Sequence, residues 1–361
     1  MPNISALAAM PQEVTVKILQ AFPKMSSIVL AGPVEMVSPA KRMLPAGLHE
    51  IRSKGGAIEV LIRAHRASRP DLVKAPSLSF RAIGRGLNLR FGHEHSRFYQ
   101  GTMRFSADPA GNLMIINKVS AKDYVRSVTA SETDPFCPLE ALKAQAILTQ
   151  TRLQRYKPGD ELNDTTEGEA YLGSQNQRTE SNQAVNEAWG KVLVYDNVPI
   201  PVFYHSTCAG RTSGVEAIFG GKPIAAYKSI VCNHCRKSPF WKPTVKKIPL
   251  QRFTTVFKAG VPKVVSRDQA NRPTKVMFPD GSESSGYQFW LKLGQNLGWD
   301  KAPGTRFDIK TDGDQVVISS TGAGHGIGLC QRGAQQMAVK GKKHEEILDF
   351  YLPGTKIRAV K

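Results

Sequence analysis

Near the C-terminus, residues 321–338 read TGAGHGIGLCQRGAQQMA, with four glycines within seven positions around His325, then Cys330 and Gln331. Glycine allows positive φ and close backbone approach but costs conformational entropy on folding, so such a loop points to a tight turn, a metal or a ligand. An imidazole there can hydrogen-bond a sugar hydroxyl or a structural partner. His205, in YHSTCAGRT (204–212), likewise sits among small and hydroxyl residues rather than on an apolar helix face. Of five cysteines, Cys232 and Cys235 form a C-x-x-C pair whose sulfurs can grip one metal ion. Cys208 upstream and Cys330 downstream could complete a four-thiolate zinc site, with His205 or His234 as substitute ligands. Two rivals stay open at this point. One is a thioredoxin-like redox pair, although the strand-then-helix context is missing around IVCNHCRKSP; the other is disulfides, if the protein is exported. Cys137 reads as a buried thiol.

Glu132, in VTASETDP (128–135), stands just before Pro135 and the clearest helix of the chain. Taken alone it is a charged residue near a helix N-terminus, with Ser131 or Thr133 as a cap. Its functional alternative is a general acid/base, which needs an enclosed carboxyl held toward neutral pKa.

The elements that must position these groups are of two textures. From Glu13 to Phe105, short apolar alternations such as VTVKILQAF, SSIVLAG, AIEVLIRA, LNLRFG and RFYQGTMRFSA are punctuated by Gly, Pro and Ser, the pattern of half-buried strands. NLMIINKVS continues them. At SAKDYVRSV the spacing becomes helical, and 135–156 predicts a helix with Pro138 as its first residue, Leu139, Leu142, Ala146 and Leu153 on one side, and a Glu140–Lys143 pair. Asp196-Asn197 predicts a hairpin turn, TKVMFPDG and QVVISSTG predict strands, and YQFWLKLGQNLGW a helix. The class is α+β, with a β-rich part over 1–115 and a mixed remainder over 116–361.

Lys and Arg number 49 against 30 Asp and Glu, a net charge of +19, so anionic partners are in view. The basic residues are scattered, without an arginine-rich arm or RNA-recognition signature, and most serve a solvated surface; nucleic acid is not the expected partner. No apolar run reaches the roughly 20 residues of a membrane span, so an integral membrane protein is not expected. Ala6-Leu7-Ala8 has the small-x-small form of a signal-peptidase site without a basic region or long apolar run before it. The expectation is an extracytoplasmic protein, in periplasm or cell envelope, whose export signal is absent from this numbering.

Three ordered segments together resemble the SpoIID/LytB family of stage II sporulation protein D and the amidase enhancers. KVSAKDYVRSVTASETDPFCPLEALKAQAILTQTRLQRY resembles its Glu-Met-Pro motif followed by Ala-Leu-Lys-Ala-Gln-Ala. PVFYHSTCAGRTSGVEAIFGG resembles its His-Ser-Thr-Ser/Cys-Gly-Gly-x-Thr turn, and GAGHGIGLCQRGAQQMA with ILDFYLPGTKI its Gly-His-Gly-Val-Gly signature and its ending. The likeness implies a peptidoglycan lytic transglycosylase over 116–361, acting on denuded strands already stripped by an amidase. It would close a 1,6-anhydro-MurNAc ring with one carboxyl, which falls on Glu132. The alternative that it implies is a non-catalytic amidase enhancer. It further implies substrate contacts from His205, Thr207, Arg211, Thr212, His325 and Gln331. Some family members carry serine in both turns where this chain has Cys208 and Cys330, and the paired cysteines together with C-x-x-C favour a shared structural zinc on Cys208, Cys232, Cys235 and Cys330. Departures are Thr133-Asp134 for Met-Pro, where Asp134 could act on Glu132 or face solvent, and Ala209 for the first glycine of the turn.

Overall fold

The computed structural model describes residues 7–22, 24–63, 70–92, 95–165 and 168–360, so Ala6 of the Ala6-Leu7-Ala8 pattern lies outside the described residues. The α+β class holds. The described residues form two compact units, 7–192 with 359–360, and Leu193–Arg358. The change of texture at 115/116 falls inside the first.

In the first unit the alternating segments form β1 (Glu13–Lys17), β2 (Ser27–Ser38), β3 (Arg42–Lys54), β4 (Ala57–Ile62), β5 (Asp71–Ala75), β6 (Ser77–Arg81), β7 (Leu87–Phe91), β8 (His95–Tyr99), β9 (Thr102–Ala107) and β10 (Leu113–Ser120). With β11 (Leu162–Asn163) they make one sheet in the order β11-β1-β10-β9-β6-β2-β3-β4-β5, where β7 lies on β2 and β8 on β7. The alternation is visible in β7, where Leu87, Leu89 and Phe91 are buried between the more accessible Asn88 and Arg90. Strand β10 runs directly into α1 (Ala121–Glu132), whose start is fixed by Ser120 accepting the Asp123 N–H at 3.1 Å.

Helix α2 (Leu139–Leu153) is buried on nearly every side, including Ala144, Ala146, Ile147, Leu148 and Gln150, so it is a central helix rather than one with a single apolar face. It packs on α1 and α3 (Thr179–Ala188). The expected Glu140–Lys143 pair forms at 3.0 Å. Pro138 is the N-cap and not the first helical residue, because its ψ of 151° is extended.

The second unit begins in the hairpin of β12 (Lys191–Tyr195) and β13 (Val198–Pro199). Asp196 and Asn197 take φ of 48° and 62°, the left-handed pair that a two-residue hairpin turn needs. Then follow β14 (Tyr204–His205), α4 (Val215–Phe219), β15 (Thr244–Pro249), α5 (Leu250–Val256), β16 (Lys263–Arg267), β17 (Pro273–Met277), β18 (Glu283–Ser285), α6 (Gly286–Leu297), β19 (Arg306–Asp312) and β20 (Gln315–Thr321). Sheet β15-β20-β19 and helices α5 and α6 enclose Phe253, Phe257, Phe289, Phe307, Val276 and Ile318. The remaining elements are β21 (Leu329–Cys330), α7 (Gln331–Val339), α8 (His344–Tyr351) and β22 (Lys356–Ala359).

Candidate functional site

Glu132 is the last residue of α1, so the N-terminal placement expected for it is corrected to a C-terminal one. The helical texture ends there because Thr133 turns extended and Pro135 and Pro138 follow. The carboxyl is partly exposed, and its Oε1 accepts the Ala170 N–H at 2.6 Å. An anion at a helix C-terminus meets the negative end of the dipole, and this short amide contact offsets it. Asp134 shapes the loop instead of facing solvent freely: its Oδ1 accepts the Phe136 N–H at 3.0 Å, and its carbonyl accepts from Arg178 Nη2 at 3.2 Å.

The segment that holds Glu132 is itself anchored from below. Glu169, 1% exposed, accepts from Tyr124 Oη at 3.0 Å and from Thr149 Oγ1 at 3.3 Å. Tyr171 stacks on Tyr124 at 5.2 Å and donates to Asn117 Oδ1 at 2.5 Å. Burial and the adjacent Glu169 charge push the Tyr124 hydroxyl well above its usual pKa, so it remains a donor. Sequence reading missed Glu169, Ala170 and Tyr171, which lie in a polar stretch without periodicity. It also missed Phe136, which is 89% exposed four positions after Glu132.

The second unit draws the other marked residues together. Strand β14 pairs in parallel with β21, and Thr207 exchanges backbone hydrogen bonds with Ala323 at 3.1 and 3.0 Å, so the His205 turn and the glycine loop lie side by side. Gly324 and Gly326 have φ of 89° and 86°, and a Cβ would run into His205 at the first and into the Arg272 guanidinium at the second. The glycines thus leave room for His205 and for the Arg272 guanidinium. Ile327 orients both imidazoles. Its carbonyl accepts from His205 Nδ1 at 3.0 Å, while its N–H donates to His325 Nδ1 at 3.1 Å. The two rings are therefore opposite tautomers. Burial pulls the His325 pKa down to about 4 and that of His205 well below the ordinary value, so both are neutral at neutral pH.

Of the six expected substrate contacts, His205, Thr207 and Thr212 are buried, at 3%, 1% and 1% exposure. Thr207 Oγ1 bonds Ser238 Oγ at 2.7 Å, and Thr212 Oγ1 accepts the Ile230 N–H at 2.9 Å. Arg211, His325 and Gln331 are partly exposed, and Arg211 Nη1 reaches Ser229 Oγ at 3.2 Å. Glu132 belongs to the other compact unit.

All four marked cysteines converge. Cys208, Cys232, Cys235 and Cys330 are buried free thiols whose sulfurs lie within 4.8 Å of one another, with Cys208 and Cys235 3.4 Å apart. Tetrahedral zinc with bonds of about 2.3 Å places its sulfurs about 3.8 Å apart, so the spacing and the soft donor set fit that ion. The group formed by the four sulfurs includes neither His205, whose Nδ1 bonds the Ile327 carbonyl, nor His234, which packs edge-on against Phe350. Hydrogen bonding among the thiols pushes Cys208 up and holds Cys232 and Cys235 low, and burial pushes Cys330 up. Four thiolates in this volume would need a cation among them. Cys232 Sγ also lies 3.1 Å from Tyr351 Oη, an approach open because residue 333 lacks a side chain.

Known proteins resemble the chain over both units. The family described as "SpoIID: Stage II sporulation protein" matches residues 110–195, a span that contains Glu132, α2 and Glu169. Stage II sporulation protein D of Bacillus subtilis (strain 168) is 27% identical over 268 residues, 67% of this chain and 75% of that protein. An uncharacterised protein of Brachyspira hyodysenteriae is 28% identical over 272 residues, 72% of each chain. The amidase enhancer of Bacillus subtilis is 26% identical over 285 residues, 64% of this chain and only 40% of that protein. Together with the ordered motifs around Glu132, His205 and His325, these matches support the likeness of the chain to the SpoIID/LytB family.

Proposed function

We propose that this protein is a lytic transglycosylase that cleaves the MurNAc–GlcNAc bond of denuded peptidoglycan strands. The observation that carries the reading is Glu132 itself: one partly exposed carboxyl at the end of α1, held by the Ala170 amide, inside the segment that matches the family. As the C1–oxygen bond breaks, Glu132 gives its proton to the leaving oxygen. As carboxylate it then takes the proton of the MurNAc 6-hydroxyl while O6 bonds to C1, so no water is consumed and one group suffices. The Ala170 N–H stabilises the carboxylate stage. The Asp134 carboxylate is tied into its own loop, which supports a single-carboxyl scheme over a two-carboxylate glycosidase. Phe136 offers an exposed ring for stacking on a sugar face. The lactyl carboxylates of denuded glycan suit a chain of net charge +19.

In this reading Arg211, His325 and Gln331 touch the glycan, and His205, Thr207 and Thr212 support them from within. The four cysteines hold a structural zinc that cross-links three distant stretches of chain; with four protein ligands it leaves no open coordination position for chemistry. A filled tetrathiolate also suits the extracytoplasmic setting we assign, where close buried thiols would otherwise oxidise. Among the described residues no helix is long and apolar enough to cross a membrane.

The test is mass spectrometry of amidase-stripped strands incubated with wild type and Glu132→Gln. Anhydro-MurNAc ends from wild type alone are expected, while equal yields from the folded variant would refute the assignment. A second reading, an amidase enhancer that binds glycan without cutting it, is favoured by the amidase-enhancer relative. It predicts strand binding and a faster partner amidase with no new chain ends.

A further inference from the structure

Arg272, at the foot of β17, is 1% exposed and heads the fully buried side chains by volume. Its Nη1 donates to the Arg211 carbonyl at 2.9 Å and to Ser213 Oγ at 3.0 Å, and its Nη2 donates to the Cys208 carbonyl at 2.7 Å. Nε is buried without a partner. A buried guanidinium needs a countercharge, because taking a lone ion out of water is costly. Among the described residues no carboxylate forms an ion pair with it. Asp268 attracts it from beyond ion-pair distance, linked through Ser213 Oγ, and supplies one negative charge. Arg306 adds a second cation at the same turn, donating from Nη1 to the Ala209 carbonyl at 2.9 Å. Two guanidiniums thus grip the carbonyls of two consecutive residues, one of them a metal-ligand candidate. Ala209, with φ of 58°, holds a left-handed conformation that its side chain disfavours.

We infer that Arg272 and Arg306 form a charge-balancing clamp for a dianionic tetrathiolate metal centre. The inference rests on the zinc reading above. Four thiolates around a divalent ion carry net charge −2, which the two guanidiniums balance. By fixing the 208–209 turn they also hold Cys208 Sγ where the other three sulfurs meet it. Both are positioning residues that touch the ligand loop and not the ion.

The test is zinc affinity by competition with a chromogenic chelator, alongside the cobalt(II)–thiolate absorption of each protein, for wild type, Arg272→Met, Arg272→Lys and Arg306→Gln. Wild type should bind one zinc per chain. Arg272→Met should bind about 10- to 100-fold more weakly with four-thiolate absorption retained, since partners behind the ligands typically contribute that much. Arg272→Lys should recover part of the loss. Arg306→Gln, at a partly exposed position, should weaken binding even if Arg272→Met fails to fold. Unchanged affinity in Arg306→Gln and in any folded Arg272 variant would overturn the clamp while leaving the zinc. A wild type that binds no zinc would overturn both.

Discussion

The pair of imidazoles beside the glycine loop makes the stability of the Leu193–Arg358 unit depend on acid. Folding holds His325 neutral, with Nδ1 accepting the Ile327 N–H and burial pulling its pKa to about 4. The unfolded chain protonates the same ring below about pH 6.5. Between these values the unfolded state binds more protons, so stability is full above pH 6.5 and falls as pH drops toward 4. The shift from 6.5 to about 4 corresponds to at most about 3 kcal/mol at pH 4, a ceiling because the ring is partly exposed and water screens it. His325→Asn keeps an acceptor where Nδ1 stands and removes the titration. Urea unfolding of both proteins at pH 7, 6, 5 and 4, followed by the fluorescence of Trp290 and Trp299 in that unit, should show wild type losing up to about 3 kcal/mol more than the variant. Acid loss of a bound metal affects both proteins alike and cancels in the difference. Parallel pH profiles would refute an imidazole that folding holds neutral.

Glu169→Ala leaves Tyr124 and Thr149 without their buried acceptor and should destabilise the first unit by about 3–6 kcal/mol in urea unfolding, at about 1.5–3 for each charge-assisted bond. A loss under about 1 kcal/mol would mean that the network is slack. Gly326→Ala adds a side chain at positive φ against Arg272, and a drop of more than about 2 kcal/mol is expected by the same assay. A strong chelator should lower the melting temperature of wild type by several degrees while leaving Cys208→Ser, which lacks a ligand, little changed. Equal responses would argue against a metal held by these sulfurs.

Legibility in the sequence followed the range of the interactions. Strands β1, β2, β4, β7, β9, β10, β17 and β20 fall in the alternating runs, and Asp196-Asn197 makes its turn, because period and turn chemistry are local. Strands β3, β5 and β6 were not read: Arg42–Lys54 carries exposed Met43 and Leu48 beside buried Leu44 and His49, which blurs the alternation. The four-cysteine cluster was legible because thiols are few and C-x-x-C has a fixed bite. Arg272 was not, since one arginine among many gives no sign of burial; only tertiary contacts single it out. Glu132 was found through the resemblance, but its helix end was misjudged. Two helical textures flank it, and the prolines that separate them were read as the start of the second and not the end of the first.

The convergence of the four sulfurs also bears on the order in which the unit assembles. Cys208 and Cys330 are 122 positions apart, so the gap between them closes only after most of Leu193–Arg358 has been made. Closing so long a segment carries a large entropic cost, repaid only when the β14–β21 pairing is in place. A growing chain brings out Cys208, Cys232 and Cys235 early, but the fourth sulfur arrives last and completes the cluster. Under the proposed zinc reading, completion of the centre coincides with the end of folding, and release of the ion with its reversal.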